Sequence, residues 1–305
     1  IGSPQSLRYA KPDQEEIPVN VATLKTLLRR FADSVLHQPA TALALSAEID
    51  RLRASPRFQD RKCLIPFGRK IYSQTDEDGI IREIFSRIGV TNRTFVEFGV
   101  GDGLENNTLA LLFDGWRGLW IEGSASLTRR IRANLPSVIR EGRLSVTTAL
   151  VTRDNIDALI AAAVPSGEID LMSVDIDGND YHVFESVTCV RPRVIVMEYN
   201  ARFPPPLEYC MAYDAAHVWR EDDCFGASLK FLELALARRG YCLVGCSLSG
   251  VNAFFVRQDL AQGQFLTPFT AEQHYEPARY YLGGLPSGHP ASYRTLERSA
   301  RNILG

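Results

Sequence analysis

Thr94-Phe95-Val96-Glu97-Phe98-Gly99-Val100-Gly101-Asp102-Gly103 is the stretch that decides the fold. Phe95, Val96 and Phe98 make a short apolar run of the kind buried in a parallel sheet, where the charge of Glu97 is costly unless it has a partner. Gly99, Gly101 and Gly103 then remove the side chains that would hold a ligand away from the backbone. Open α/β sheets bind ligands at this place, just beyond the carboxyl end of a strand.

Two ligands suit such a turn, a dinucleotide and S-adenosylmethionine. The dinucleotide fingerprint G-x-G-x-x-G needs a small residue at position 104, where Leu104 stands. Charge argues the same way. Glu97, Asp102, Glu105, Glu122, Asp175 and Asp177 all fall at or near predicted strand ends on the ligand side. Such a cluster repels a pyrophosphate and suits a ligand that carries an ammonium and a sulfonium. A second apolar run, Gly118-Leu119-Trp120-Ile121, ends in Glu122-Gly123. An acidic residue about 20 residues past the glycines, at the end of the second strand, accepts ribose hydroxyls. The glycines alone are compatible with an ordinary tight turn; together with Glu122 they predict a nucleoside-bearing cofactor.

Apolar runs and helical stripes alternate on either side of this unit. Strands are expected at 94–99, 117–122, 144–149, 169–175 and 193–199, with helices at 105–113, 125–134, 153–163, 179–188 and 227–239. Asp76-Glu77-Asp78-Gly79 opens a further helix that runs to Ile88, with its acids at the N-terminus as the macrodipole prefers. Two closing strands, 241–246 and 251–257, are separated only by Ser247-Leu248-Ser249-Gly250, which predicts an antiparallel pair. The expectation is an α/β, doubly wound, mostly parallel seven-stranded sheet with an antiparallel edge hairpin. Val21–His37 carries an apolar stripe and a second helix is expected at 41–53; these N-terminal helices are candidates for packing on the main domain, capping its site or forming a homodimer. The domain boundaries that follow are an arm and helical extension over 1–60, the main domain over 61–260 and a loop-rich cover over 261–305.

Composition narrows the class. The chain has 305 residues, 45% of them hydrophobic, enough for one large α/β domain with appendages. A net charge of −2 and a pI near 6.3 argue against nucleic-acid binding through the phosphate backbone. No apolar run approaches the length of a membrane span, and no basic start followed by an apolar core reads as a secretory leader. The six cysteines show neither a C-x-x-C pair nor histidines at zinc spacing, which suits reduced thiols in a cytoplasmic protein.

The residues resemble class I S-adenosylmethionine-dependent methyltransferases, in particular the FkbM-type branch. Tyr72-Ser73-Gln74-Thr75-Asp76-Glu77-Asp78-Gly79-Ile80-Ile81 looks like that branch's lead-in to its first strand. Val96-Glu97-Phe98-Gly99 with Asp102-Gly103, then Asn107-Thr108, Gly115-Trp116-Arg117-Gly118 and Ile121-Glu122, looks like its central signature. The similarity covers roughly residues 70–200 and implies a Rossmann-like methyltransferase fold. It also implies that Glu97, Gly99 and Gly101 line the methionine part of the cofactor, that Glu122 and the adjoining Gly123 hold the ribose, and that Gln74, Asp102 and Asn107 lie nearby. Asn107 is equally suited to a helix N-cap. Trp116 and Trp120 suit either the adenine or the core.

Methyl transfer requires the acceptor to be held in line with the sulfonium methyl and, for a hydroxyl, a group to take its proton. Both requirements point to the ends of the fourth and fifth strands. Asp175 and Asp177 are two apart on an extended segment, as are Glu198 and Asn200, so each pair is expected on one side, where oxygen ligands can hold Mg²⁺. This layout is similar to catechol O-methyltransferase-like enzymes, with Glu-x-Asn here in place of adjacent Asp-Asn. Without a metal, Asp175 binds cofactor or substrate, and Asp180, His182 or, in the loop after the fifth strand, His217 is the candidate base. The expectation is an O-methyltransferase acting on a small-molecule or saccharide acceptor. N-methylation, or a cofactor-binding protein without turnover, is the alternative, and a nicotinamide dehydrogenase is the remotest reading.

Overall fold

A computed structural model describes residues 39–284 and 291–304. The predicted helix at Val21–His37, and with it part of the surface assigned to a homodimer, lies outside the described residues. Seven strands form one sheet: β1 (Thr94–Phe98), β2 (Arg117–Glu122), β3 (Leu144–Thr148), β4 (Gly167–Val174), β5 (Val190–Glu198), β6 (Tyr241–Cys246) and β7 (Asn252–Arg257). Their order is β3-β2-β1-β4-β5-β7-β6. The strands from β1 to β5 pair in parallel, and β7 runs antiparallel to both β5 and β6. The strand order reverses between β1 and β4, which opens the crevice at their carboxyl ends where doubly wound folds bind ligands.

The helices are α1 (Pro39–Arg53), α2 (Glu77–Ile88), α3 (Leu109–Phe113), α4 (Ala125–Asn134), α5 (Pro136–Arg140), α6 (Ile156–Ala161), α7 (Asp180–Glu185), α8 (Leu229–Arg238), α9 (Gln258–Ala261), α10 (Ala271–His274) and α11 (Tyr293–Leu304). The strands are apolar on both faces because helices cover both. On one side Val96, Phe98, Met172 and Ile195 pack with Ile156 and Ile160 of α6, Phe184 of α7 and Leu232 of α8. On the other, Phe95, Trp120, Leu171 and Val196 pack with Ile80 and Ile84 of α2, Leu112 of α3 and Ile131 of α4. Trp116 and Trp120 are both core residues, 4% and 0% exposed, so neither is available to flank an adenine.

The described N-terminal helix α1 packs Leu45, Ile49 and Leu52 beside Leu248 in the β6–β7 connection and Leu282 in the tail. The tail holds more helix than a loop-rich cover. Tyr293, Leu296 and Ala300 of α11 are spaced to share one face and are buried in the second core cluster. Burying side chains of this size contributes roughly 2 kcal/mol for each of Tyr293 and Leu296. No helix among the described residues is long and apolar enough to cross a membrane.

Candidate active site

The turn after β1 is shaped by glycines that all have positive φ: +84° at Gly99, +58° at Gly101 and +74° at Gly103. A Cβ on Gly99 would lie 1.5 Å from the carbonyl oxygen of Asp175, and one on Gly103 would lie 2.8 Å from the Trp120 ring. These two glycines are required by packing. Around Gly101 a Cβ would meet nothing within 4 Å, so the turn presents open space there. Glu122, at the end of β2, accepts the Gly101 N–H at 2.9 Å through Oε2 and the Ser124 N–H at 2.8 Å through Oε1. A partly exposed carboxylate is thereby fixed at the rim of the turn, and each oxygen keeps a free lone pair. Gly123 beside it leaves room for Leu150, whose Cδ2 would be 2.5 Å from an added Cβ.

Glu97 faces the opposite way from Val96 and Phe98 and meets the start of α3. It is 3% exposed. Its Oε1 accepts the Asn107 N–H at 2.9 Å, and its Oε2 accepts the Thr108 hydroxyl, which in turn accepts the Trp120 indole N–H at 2.8 Å. Burial pushes its carboxyl up to about 7, against the pull of these donors. Asn107 donates its side-chain amide to Ser173 Oγ at 3.1 Å on β4. Both residues therefore tie β1, α3 and β4 together directly behind the glycine turn. Asp102 accepts the Leu104 N–H, lies 3.8 Å from Arg130, and receives the Tyr293 hydroxyl on its backbone carbonyl.

Leu171 and Val196 share a sheet face, and the same alternation carries Asp175 and Glu198 to that face at the strand ends. Asp175, Asp177 and Glu198 each offer a carboxylate oxygen, and these oxygens lie within 4.8 Å of one another. Among the described residues no hydrogen-bond donor or salt bridge reaches the three carboxylates, and Glu198 Oε2 is buried without a partner. Asp177 sits in the left-handed region at φ +54°, a conformation an aspartate tolerates. Burial, reinforced by the neighbouring carboxylates of Asp180 and Asp177, holds the Asp175 carboxyl well above the usual range. Glu198 is raised for the same reasons, with Asp175 its chief neighbour.

Asn200 lines the same cleft as Asp177 and Glu198, whereas His182 does not. Asn200 lies past the end of β5 and spends its carboxamide on the following loop. Its nitrogen donates to the carbonyls of Asp223 at 2.9 Å and Phe225 at 3.0 Å, and its oxygen accepts the Arg202 N–H. His182 rides on α7 and sets its Nε2 2.7 Å from the Met211 carbonyl, beside Cys210, outside the cleft lining. His217 stands closer, with Nε2 3.1 Å from the Asp177 carbonyl. Asp180 accepts the Ile176 and Gly178 N–H groups and so closes the turn that carries Asp177.

A cleft of about 780 Å³ is lined by two of these carboxylates, Asp177 and Glu198, with Asp175 beside them behind its wall. Gln74 and Thr75 form one wall, and Asp177 and Glu198 lie on its sheet side. Trp219, Phe225 and Tyr280 supply aromatic surface that the sequence did not single out. The Gln74 wall is rigid. Asp78 accepts the N–H groups of Ile71, Tyr72 and Ser73, Glu77 accepts the N–H and hydroxyl of Thr75, and Asp76 accepts the Leu248 N–H. Burial and the adjacent Glu77 push the Asp76 carboxyl up to about 7.

No family model and no curated protein matches the chain. Solved structures that resemble it in part include the N-terminal domain of EvdMO1 with S-adenosylhomocysteine and D-fucose, at 18% identity and a TM-score of 0.40 over 60% of this chain and 82% of that one. An O-methyltransferase from Bacillus cereus in complex with S-adenosylhomocysteine overlaps 77% of this chain and 98% of its own, at 17% identity and a TM-score of 0.40. The glycopeptide N-methyltransferase MtfA with sinefungin overlaps 72% and 98%, at 18% identity and a TM-score of 0.38. At this degree of overlap the likeness carries neither activity nor substrate over to this chain.

Proposed function

We propose that the protein is an S-adenosylmethionine-dependent O-methyltransferase that acts on a hydroxyl of a small or glycosylated metabolite or a saccharide. The observation that carries the reading is the turn at Gly99–Gly103, open over Gly101 and rimmed by the Glu122 carboxylate, at the switch point of a seven-stranded sheet. The similarity of residues 70–200 to the FkbM-type branch supports it. Bound S-adenosylmethionine supplies an electrophilic methyl group. Glu122 holds the ribose hydroxyls with its free lone pairs, and Gly101 admits the ligand to the backbone. Gln74 and Thr75 bound the acceptor, and the cleft fixes the acceptor's approach, an orientation effect. Asp175, with a carboxyl raised by burial and like charges, is the stronger base when ionised and takes the hydroxyl proton. His217 beside Asp177 is the second candidate for that proton.

A metal-assisted form of the same reaction has its own observation, three carboxylates gathered within 4.8 Å that no donor among the described residues reaches. Asp175, Asp177 and Glu198 would hold Mg²⁺ through oxygen ligands, and the ion would lower the acceptor's pKa.

Calorimetric titration of S-adenosylhomocysteine into the protein tests the cofactor reading. One-to-one binding that Glu122→Ala weakens supports it; equal binding by the Glu122→Ala protein removes the assignment.

A further inference from the structure

Resting on that reading of the site, we infer that the acceptor is a hydroxylated amine, protonated at neutral pH, of which an amino sugar is the simplest kind. The cleft is lined by Trp219, Phe225 and Tyr280 and by the carboxylates of Glu198, Glu221 and Asp222. Its one arginine, Arg202, is already beside Asp223, 3.9 Å away. No salt bridge among the described residues reaches Glu198, Glu221 or Asp222. Among the described residues the carboxyl groups that line the cleft outnumber its basic side chains.

The aromatic side chains stand within this same acidic space. Trp219 is 43% exposed and Tyr280 is 56% exposed, although both are large enough to be buried in an ordinary loop. Trp219 is held by an edge contact with Phe225 and by its indole N–H on the Asp222 carbonyl. Exposed aromatic faces beside carboxylates attract an ammonium by two additive routes, ring quadrupole and Coulomb force. A neutral polyol uses neither. Glu221 is held in the left-handed region, φ +64°, at the tip of this loop. Deeper in, the buried Oε2 of Glu198 has no partner among the described residues, and a hydroxyl of the acceptor next to the reacting one supplies it. Thus the two ends of the cleft ask for two different groups on one molecule, a hydroxyl inside and a cation outside.

The probes are D-glucosamine and D-glucose, which differ at one substituent, titrated into the full chain with and without saturating S-adenosylhomocysteine. Glucosamine is expected to bind at least about tenfold more tightly, a preference of about 1.4 kcal/mol. The preference should shrink in high salt. It should also shrink in the Glu221→Gln/Asp222→Asn protein, whose exposed substitutions leave the fold intact, and in Trp219→Ala. Equal affinity for the two sugars, no binding of either, or a preference that survives both variants overturns the inference. Loss of S-adenosylhomocysteine binding with the sugar preference intact instead sinks the cofactor reading and leaves a cation-binding cleft.

Discussion

The Cβ position of Gly99 lies 1.5 Å from the carbonyl oxygen of Asp175, so the glycine turn and the end of β4 are in backbone contact. Glycine at 99 is the condition for that contact. Position 101 is different, because its surroundings are open. Gly99→Ala should therefore cost roughly 3 kcal/mol or more by forcing two strand ends apart, and should be seen as a large drop in melting temperature. Gly101→Ala should cost only about 1 kcal/mol of backbone strain yet abolish S-adenosylhomocysteine binding. Similar stability losses in the two variants would contradict this division of labour.

Glu97 makes stability depend on pH in a defined direction. Its folded-state carboxyl lies at about 7, above the ordinary 4.5, with burial the main cause. The folded chain thus holds this proton more tightly than the unfolded chain does. Stability from this group is fully present below about 4.5, is lost as pH rises towards 7, and is level above. Relative to the parent, Glu97→Gln should gain up to roughly 3 kcal/mol between pH 4.5 and pH 8. Denaturant unfolding across that range checks it. Asp76 acts in the same sense in both proteins and cancels in the comparison. Parallel curves for parent and variant would refute the assignment.

At Glu122 the expected loss is graded. Glu122→Ala removes the carboxylate from the rim of the turn and should weaken S-adenosylhomocysteine binding roughly 10- to 100-fold, as loss of charge-assisted hydrogen bonds does. Glu122→Gln keeps one carbonyl acceptor and should fall between parent and alanine variant. Calorimetry ranks the three.

Magnesium separates the two forms of the reaction. If Asp175, Asp177 and Glu198 hold the ion, millimolar MgCl₂ should raise the melting temperature by roughly 2–4 °C, by mass action on the folded state. Asp177→Asn should abolish the rise. A parent protein indifferent to MgCl₂ and to chelators returns proton removal to the metal-free candidates, Asp175 and His217.

Much of this architecture is legible in the sequence because each strand is an apolar run bounded by glycine or acid. Glu97 and Glu122 mark their own strand ends. Side-chain direction beyond a strand is less legible. Period-two spacing pairs Glu198 with Asn200 and both line the cleft, but β5 stops at Glu198, and the Asn200 amide nitrogen is taken by the carbonyls of Asp223 and Phe225. His182 follows Asp180 closely, yet α7 rotates it onto the Met211 carbonyl. The aromatic wall is not legible because Trp219 and Phe225, on the loop after β5, and Tyr280, in the tail, share no period and meet only in the fold. In the tail, the Pro and Gly content before it obscured the stripe of Tyr293, Leu296 and Ala300, whose spacing does read as a helix.

The bond from the Tyr293 hydroxyl to the Asp102 carbonyl joins groups 191 residues apart. A ribosome makes the glycine turn early and Tyr293 late. Until Tyr293 is made the turn lacks the fastening that α11 brings to it, although the strands of the sheet have already been produced. Contacts of such high sequence separation form slowly, and N-terminal segments fold ahead of the rest of the chain. The glycine turn is thus fastened only once Tyr293 has been made, and a chain cut between β7 and Tyr293 would keep its seven strands but lack this tie.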